Sequence, residues 1–600
     1  MQNSTISPYR SGLNGVNQKM NLELGGALWW SLGCIACIVL IIRVVGTLWV
    51  SIRQISTMTR LRFKEMPSYD HQDQAYWKRS QWSWMPPLKK HLLYAPLWKK
   101  RHHQNIQMLS AVSVGTLPSR LQTLIIALYV GSNTAYMCIL DWNVPNRYAL
   151  CAELRGRAGT LATANLLPLI IMASRNNPLT RLLAINSDSY NLLHRWIGRL
   201  VVAEVLVHAI AWAIPSTAET GWGKLGEEAF RGVFLATGSI GAIAMLLIFV
   251  SGASLIRKAF YETFLVAHIV LALMAVACTW IHCATADLPA VLPQLPWIGA
   301  VAAMWLCERL IRVVRLVLVN WRSGQLTIAS CELLPGEAIK VTAQLPRCLR
   351  VRPGSHAYLR IRSLRVWESH PFSIAWVENH AKSSSPACHV ESSNDGQCRL
   401  TTDVTFIIGA RNGMTRQLYE KVSKSKLPTP LTVGLEGPYN NTCTLDSYGH
   451  IVLVAGSTGI TYQLSYIRHL MNGYGDGTVS ARRILLIWAI RKQECFEWIK
   501  PFMPDLLRVP DCSEILRIKV FTTRETRESA GSPPKSTTGI SFYKGRPDVL
   551  SILKGEVQRQ IGAMCVTVCG PGALADEVRQ AVRIMQGQTV IDFSDESFTW

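Results

Sequence analysis

Between residues 193 and 283, two apolar segments each carry two histidines fourteen residues apart: His194 and His208, then His268 and His282. An α-helix turns about 100° and rises about 1.5 Å per residue, so fourteen residues return within roughly 40° of the same face, about 21 Å further along. Each segment therefore presents two imidazoles on one stripe, one near each leaflet of a bilayer. Four unrelated membrane histidines are the plain alternative, but polar residues at that depth are costly and usually functional. The repeat of one spacing on two helices argues against coincidence. Neutral imidazole is a standard axial ligand for haem iron. Two such helices side by side would make two bis-histidine metal sites, stacked across the membrane.

The rest of the composition suits that reading. Six hundred residues imply several domains. A mean hydropathy of +0.17 beside 17% charged residues fits a chain that is half membrane and half soluble. A formal charge of +23 could suit nucleic acid, but cytoplasmic loops of membrane proteins also collect Lys and Arg, so the location of the charge decides. Sixteen scattered cysteines show no zinc-finger spacing and indicate no disulfide framework.

Residues 1–26 read as a short polar segment outside the cytosol, with an N-glycosylation sequon at Asn3-Ser4-Thr5. Residues 27–50 read as an uncleaved transmembrane anchor. Residues 51–120 carry twelve Lys or Arg against three acids and are expected in the cytosol. Flanking spans on both sides speak against a nucleic-acid arm. Six further spans are expected at 121–140, 158–174, 193–214, 233–251, 261–281 and 297–319, making seven in all. Arg175, Arg181, Arg257 and Lys258 then fall inside, and Arg309, Arg312, Arg315 and Arg322 mark the final return to the cytosol; Arg155 and Arg157 are exceptions. The fourth and sixth spans run parallel, so His194 pairs with His268 towards the inside and His208 with His282 towards the outside. Arg195 and Arg199 could neutralise haem propionates or simply anchor the inner boundary. Asp141, Glu153, Glu219, Glu227, Glu228 and Asp287, in outer loops, could hold a cationic substrate or be solvated surface acids.

The second half changes character. Residues 321–445 hold short alternating runs that suggest a small β-barrel, with a polar, Ser-rich insertion at 378–402. From 446 to 600 the pattern is α/β, implying a parallel sheet. The buried-strand run 450–455 leads into Gly456-Ser457-Thr458-Gly459-Ile460-Thr461 and a helix, a turn that can bring backbone N–H groups against a phosphate. A strand over 482–490 ends at Arg491, a second loop covers 523–541, and 566–569 closes another strand at Cys569-Gly570-Pro571.

In this order the motifs Leu193-His194-Arg195-Trp196-Ile197-Gly198-Arg199, Tyr261-Glu262-Thr263-Phe264, His370-Pro371-Phe372-Ser373, Glu436-Gly437-Pro438-Tyr439-Asn440 and Cys569-Gly570-Pro571 resemble those of the fungal ferric reductases (metalloreductases), relatives of the NADPH oxidases. The likeness covers about residues 119–600. It implies an α-helical transmembrane haem bundle followed by a β-barrel FAD domain and an α/β NADPH-binding domain, the last two like a ferredoxin–NADP reductase. It implies two haem b on the four histidines, FAD, and NADPH as electron donor. Phe372 would stack on the isoalloxazine, between His370-Pro371 and a Ser373 hydrogen-bonded near flavin N5. Gly413 and Thr415 would approach the FAD pyrophosphate, with Met414 where the family has Phe. The nucleotide would lie on Gly456, Ser457, Thr458, Gly459, Thr461, Cys569 and Gly570, with Tyr462 replacing the Pro of the wider superfamily. Arg491, or else Arg524, would meet the NADPH 2′-phosphate. Trp600 resembles the terminal aromatic residue that covers the flavin.

The implied activity is reduction of extracytosolic ferric chelates or siderophores, with cupric ion as a further acceptor. The implied setting is the plasma membrane, in contact with lipid and with an iron-uptake permease or oxidase as partner; no nucleic acid is expected. A superoxide-generating NADPH oxidase shares every cofactor and is the nearest alternative. A transporter or haem scaffold without catalysis leaves the flavin and nucleotide motifs unexplained.

Overall fold

The computed structural model describes residues 6–59, 74–98, 106–109, 112–115, 117–365, 367–382, 399–425, 427–439, 443–509, 512–524, 536–537, 539–587, 589 and 591–596. Two compact units emerge, Met1–Val44 with Asn105–Ile311 and Val45–Gln104 with Arg312–Thr599. The long helices of the first half are α1 (Gln18–Thr59), α2 (Arg120–Cys138), α3 (Arg147–Ala173), α4 (Ser187–Thr220), α5 (Gly232–Ser251), α6 (Tyr261–Ala284) and α7 (Gln294–Asn320).

Among the described residues, four helices are long and apolar enough to cross a membrane: α1, over Gln18–Met58, and α4, α5 and α6. The other three expected spans are also helical but less apolar. Helix α3 carries Glu153, Arg155, Arg157, Thr160, Thr163 and Asn165, all buried, and α7 carries Glu308, Arg309, Arg312 and Arg315. A helix enclosed by neighbours can hold polar residues that lipid would not tolerate, provided each finds a partner. In α3 they do. Asn165 Nδ2 donates to both Glu204 carboxylate oxygens on α4 at 3.0 Å and to Asn133 Oδ1 on α2 at 2.9 Å. Pro168 removes the N–H that Ala164 O would otherwise accept, and Trp29 Nε1 on α1 donates to that carbonyl instead at 3.2 Å.

The two arginines that break the charge rule are tied in the same way. Arg155 donates to the carbonyls of Tyr9, Arg10 and Gly12 at 3.1, 2.7 and 2.8 Å. Arg157 donates to Asn21 Oδ1 and to the carbonyls of Tyr136 and Ile139, which end α2. Their charge is spent on backbone acceptors, so it says nothing about sidedness. Three of the acids expected in outer loops are also engaged: Glu219 and Glu228 with Arg10, and Glu153, which lies within α3, with Arg157.

In the second unit, β1 (Ile328–Leu334), β2 (Ala338–Leu345), β3 (His356–Ile361), β4 (His370–Ser373), β5 (Trp376–Lys382), β6 (Arg399–Gly409) and β7 (Thr429–Tyr439) form an antiparallel sheet, with α8 (Met414–Ser423) after β6. The strand order is β4-β3-β7-β1-β2-β6-β5. The two edge strands, β4 and β5, stand at opposite ends of this order, so the sheet is a curled half-barrel where a small β-barrel is expected. Pro371 on β4 cannot donate a ladder hydrogen bond, which suits it to an edge. Ile339, Val341, Leu359, Phe406 and Leu435 fill the inside.

The nucleotide half contains β8 (His450–Gly456), α9 (Ile460–Gly475), β9 (Arg483–Ile490), β10 (Leu516–Thr522), β11 (Ile540–Lys544), α10 (Val549–Gln558), β12 (Met564–Cys569), α11 (Gly572–Met585) and β13 (Ile591–Glu596). The six strands are parallel in the order β11-β10-β9-β8-β12-β13, and Ser536–Thr537 adds an antiparallel edge. Every residue of β8 and β12 is buried, as central strands covered on both faces require. The basic segment contributes here. Arg53 donates to Ser447 Oγ and lies over the Tyr448 ring, Lys89 Nζ donates to Asp592 Oδ1, and Tyr94 Oη accepts from Phe593 N. Described parts of the segment read from sequence as basic and cytosolic thus pack onto the nucleotide domain.

One ion pair in this domain sets a pH limit. Arg483 donates to both Glu556 oxygens at 2.6 and 3.1 Å, and His450 Nε2 lies 3.2 Å from Glu556 Oε2. Burial pushes the Glu556 carboxyl up, but Arg483 and His450 outweigh it and hold the group at about 2. A depressed carboxylate stabilises the fold fully above its unfolded value, near 4.5, and the gain disappears as pH falls towards 2. Glu556→Gln is expected to cost about 2 kcal/mol at pH 7 after allowing for solvent screening. Calorimetry of the intact protein should show the gap closing as pH falls below 4.5; an equal gap at pH 7 and pH 3 would refute this account.

Candidate functional site

In the membrane unit α4 and α6 bring the four histidines together in two pairs. The ring centroids of His194 and His268 are 6.2 Å apart, and those of His208 and His282 are 6.3 Å apart. Two imidazoles on opposite sides of one metal, each bonded at about 2 Å, place their ring centres about 6.3 Å apart. Both pairs fit a shared metal, first with first and second with second. Ring orientation is fixed from behind: Nδ1 of His194 lies 3.0 Å from Leu169 O, of His208 2.8 Å from Arg155 O, and of His282 2.7 Å from Phe234 O. A carbonyl only accepts, so each Nδ1 carries the proton and each Nε2 keeps its lone pair for a metal. His268 Nδ1 is buried without a hydrogen-bond partner among the described residues. Of the propionate candidates, Arg199 lies over the Trp196 ring at 4.8 Å, and Arg195 shares α4 with it.

On the half-barrel, His370, Pro371, Phe372 and Ser373 form the whole of edge strand β4, with Ser373 opposite His356 and Phe372 opposite Ala357. Ser373 is buried, and Phe372 packs against the barrel core. Next to them, His356 and Tyr439 stack with centroids 5.7 Å apart. Glu436 is buried under a bidentate hydrogen bond from Arg312, at 2.8 and 3.0 Å, and accepts from Tyr439 Oη at 2.8 Å. By sequence Arg312 only marks the return to the cytosol; its pairing with Glu436 is a tertiary contact that no local pattern reveals. Gly413 has φ +79°, with open space where a Cβ would stand, and it begins α8 without a side-chain cap. Thr415 Oγ accepts from Arg411 N at 3.0 Å, which closes the turn. Uncapped N–H groups beside an open glycine suit a phosphate.

In the parallel sheet the two glycine turns abut. Ala455 is paired with Cys569, so both turns leave neighbouring strands at the same carboxyl-terminal edge, where such sheets bind ligands. A Cβ on Gly456 would stand 2.5 Å from Pro571 Cδ, and one on Gly570 would stand 2.8 Å from Gly456 N. Ser457 adopts φ +53°, and its carbonyl accepts from Trp488 Nε1 at 3.0 Å. Thr461 Oγ donates to Thr458 O at 2.8 Å, closing the turn, and α9 begins at Gly459 with no side-chain cap. Cys569 is buried, and burial together with Glu596 pushes its thiol well up, so it stays neutral. Arg491 and Arg524, the alternatives for a 2′-phosphate, are both exposed and adjacent, with Arg524 N donating to Arg491 O at 3.3 Å. Trp600, Asn440 and the sequon at Asn3 lie outside the described residues.

Comparison with known proteins places matched domains along the same stretches of chain. Three families match in order: a ferric reductase like transmembrane component over residues 158–279, an FAD-binding domain over 323–443, and a ferric reductase NAD binding domain over 448–583. Among curated proteins, the chain is 24% identical to ferric/cupric reductase transmembrane component 2 of Saccharomyces cerevisiae, covering 82% of this chain and 68% of the relative. It is 24% identical to ferric reductase transmembrane component 3 of the same yeast, over 86% and 71%. It is 23% identical to ferric/cupric reductase transmembrane component 1 of Candida albicans, over 85% and 67%. With a ferric reductase like transmembrane component, a flavin domain and a nicotinamide-nucleotide domain in one chain, the protein is similar over more than four-fifths of its length to fungal ferric reductases and is an NAD(P)H-dependent oxidoreductase.

Proposed function

We propose that the chain is a seven-span transmembrane ferric-chelate reductase that draws electrons from cytosolic NADPH and delivers them, by way of FAD and two bis-histidine haems, to Fe(III) outside the cytosol. Cu(II) is the second metal acceptor, and the role is iron uptake at the plasma membrane. The observation that carries this reading is the pair of histidine pairs at 6.2 and 6.3 Å on the same two helices. FAD would supply the change from a two-electron donor to one-electron carriers, and each haem would carry one electron.

The chain's own residues set the conditions. The abutting turns at Gly456 and Gly570 let backbone approach the dinucleotide, Arg491 or Arg524 selects its 2′-phosphate, and Cys569 offers the nicotinamide an uncharged thiol. Phe372 gives the flavin an apolar face and Ser373 a hydroxyl, with Trp600 as the gate. His194 with His268, and His208 with His282, would each hold one haem between two imidazoles, and a haem so held would supply one-electron transfer rather than a site for binding the acceptor.

Purified protein is expected to show a low-spin b-type spectrum with two haems per chain and NADPH-dependent reduction of ferric chelates in excess of superoxide production. Superoxide as the main product, in the same membranes, would favour the oxidase reading instead.

A further inference from the structure

Two glycines face the histidines from the helices behind them. A Cβ built on Gly159, in α3, would stand 2.7 Å from His208 Nδ1 and 3.0 Å from its Cε1. One built on Gly238, in α5, would stand 2.8 Å from His282 Nδ1 and 2.9 Å from its Cε1. Carbon–nitrogen van der Waals contact is about 3.5 Å, so neither ring could keep its place beside an alanine.

The glycines are also in register with the carbonyls that hold the rings. His208 Nδ1 is bound to Arg155 O, four residues before Gly159, and His282 Nδ1 to Phe234 O, four residues before Gly238. In a helix the N–H of residue i+4 points at the carbonyl of residue i, so the imidazole N–H shares that acceptor with the glycine's own amide. At these two positions the ring comes in over the space that a side chain at i+4 would fill. The His282 ring is further confined by Phe234, stacked on it with centroids 4.1 Å apart and planes 17° apart. The other pair is built differently. His194 uses Leu169 O at 3.0 Å, where the residue four later is Ala173, and His268 Nδ1 has no hydrogen-bond partner among the described residues.

We propose that Gly159 and Gly238 are positioning residues for the His208–His282 haem: each leaves a notch that lets a ligand imidazole donate Nδ1–H to a helix carbonyl and so aim Nε2 at the iron. This rests on the haem reading of the four histidines. An alanine in either notch swings the ring off its carbonyl and turns Nε2 away from the metal, although alanine is the better helix former.

The test is haem content and low-spin electron paramagnetic resonance signals of the purified full-length protein, with flavin content as the check on folding. Gly159→Ala and Gly238→Ala should each diminish or convert to high spin the same one of two low-spin signals, the one removed by His208→Ala. Retention of that haem should weaken on the order of 10- to 100-fold, as for other lost outer-sphere partners of metal ligands. Gly131→Ala, in α2 with nothing within 4 Å of the new Cβ, should leave both signals unchanged. Both signals intact in the two notch variants would overturn the proposal. So would loss of both signals together, which would make the glycines packing residues of the whole bundle. Fewer than two haems in the unsubstituted chain would instead overturn the haem reading itself.

Discussion

His208→Ala is expected to reduce ferric-chelate reduction to background while NADPH oxidation by the flavin module continues at its normal rate. The expectation follows from where His208 stands. Its ring centroid is 6.3 Å from that of His282, and its Nδ1 is already committed to Arg155 O, so only Nε2 can serve a metal. The residue is nowhere near the flavin or nucleotide motifs in sequence, and His194 and His268 form a pair without it. Removing the imidazole should therefore take one haem of two and leave the other. The measurable pattern is one haem per chain, full flavin content, normal NADPH-dependent reduction of a soluble artificial acceptor, and no reduction of iron across the membrane. His194→Ala should also stop external reduction but should remove the other low-spin signal. Normal external ferric reduction by His208→Ala would show that electrons do not leave through this pair.

The histidine pairing was legible because it depends on two local rules, the period of a helix and the direction of consecutive spans. Neither needs knowledge of packing. The strand–turn–helix at Gly456 was legible for the same reason, since that motif carries its own backbone geometry. What stayed hidden depends on partners far away in sequence. Arg155 and Arg157 read as violations of a charge rule, yet their acceptors are carbonyls at Tyr9, Arg10, Gly12, Tyr136 and Ile139. Residues 74–95 are basic and aperiodic, and nothing local reveals that Lys89 and Tyr94 lie against β13. Alternating strands could not distinguish a closed barrel from a half-barrel, because closure depends on whether β4 and β5 pair with each other. Gly159 and Gly238 are ordinary helix residues by sequence; only the approach of a histidine from another helix gives the missing Cβ a purpose.

Gly459→Ala should disconnect NADPH from the chain while leaving the rest loaded. A Cβ there would stand 2.1 Å from Cys569 O, 2.6 Å from Cys569 C and 3.1 Å from Gly570 N, all backbone atoms that cannot rotate away. Strands β8 and β12 are held in parallel register from His450 with Met564 to Ala455 with Cys569, so relief has to come at the turns themselves. Those two turns would carry the nucleotide, and displacing them by an ångström is expected to lower hydride transfer on the order of 100-fold. Flavin and haem content should stay normal, and a flavin reduced chemically should still deliver electrons to ferric chelate. Gly570→Ala, which meets Gly456 N at 2.8 Å, should reproduce the defect from the opposite side of the same contact. Gly555→Ala, with open space around its Cβ in α10, should not. A Gly459→Ala protein with unchanged KM for NADPH and an unchanged rate of flavin reduction would place the nucleotide elsewhere.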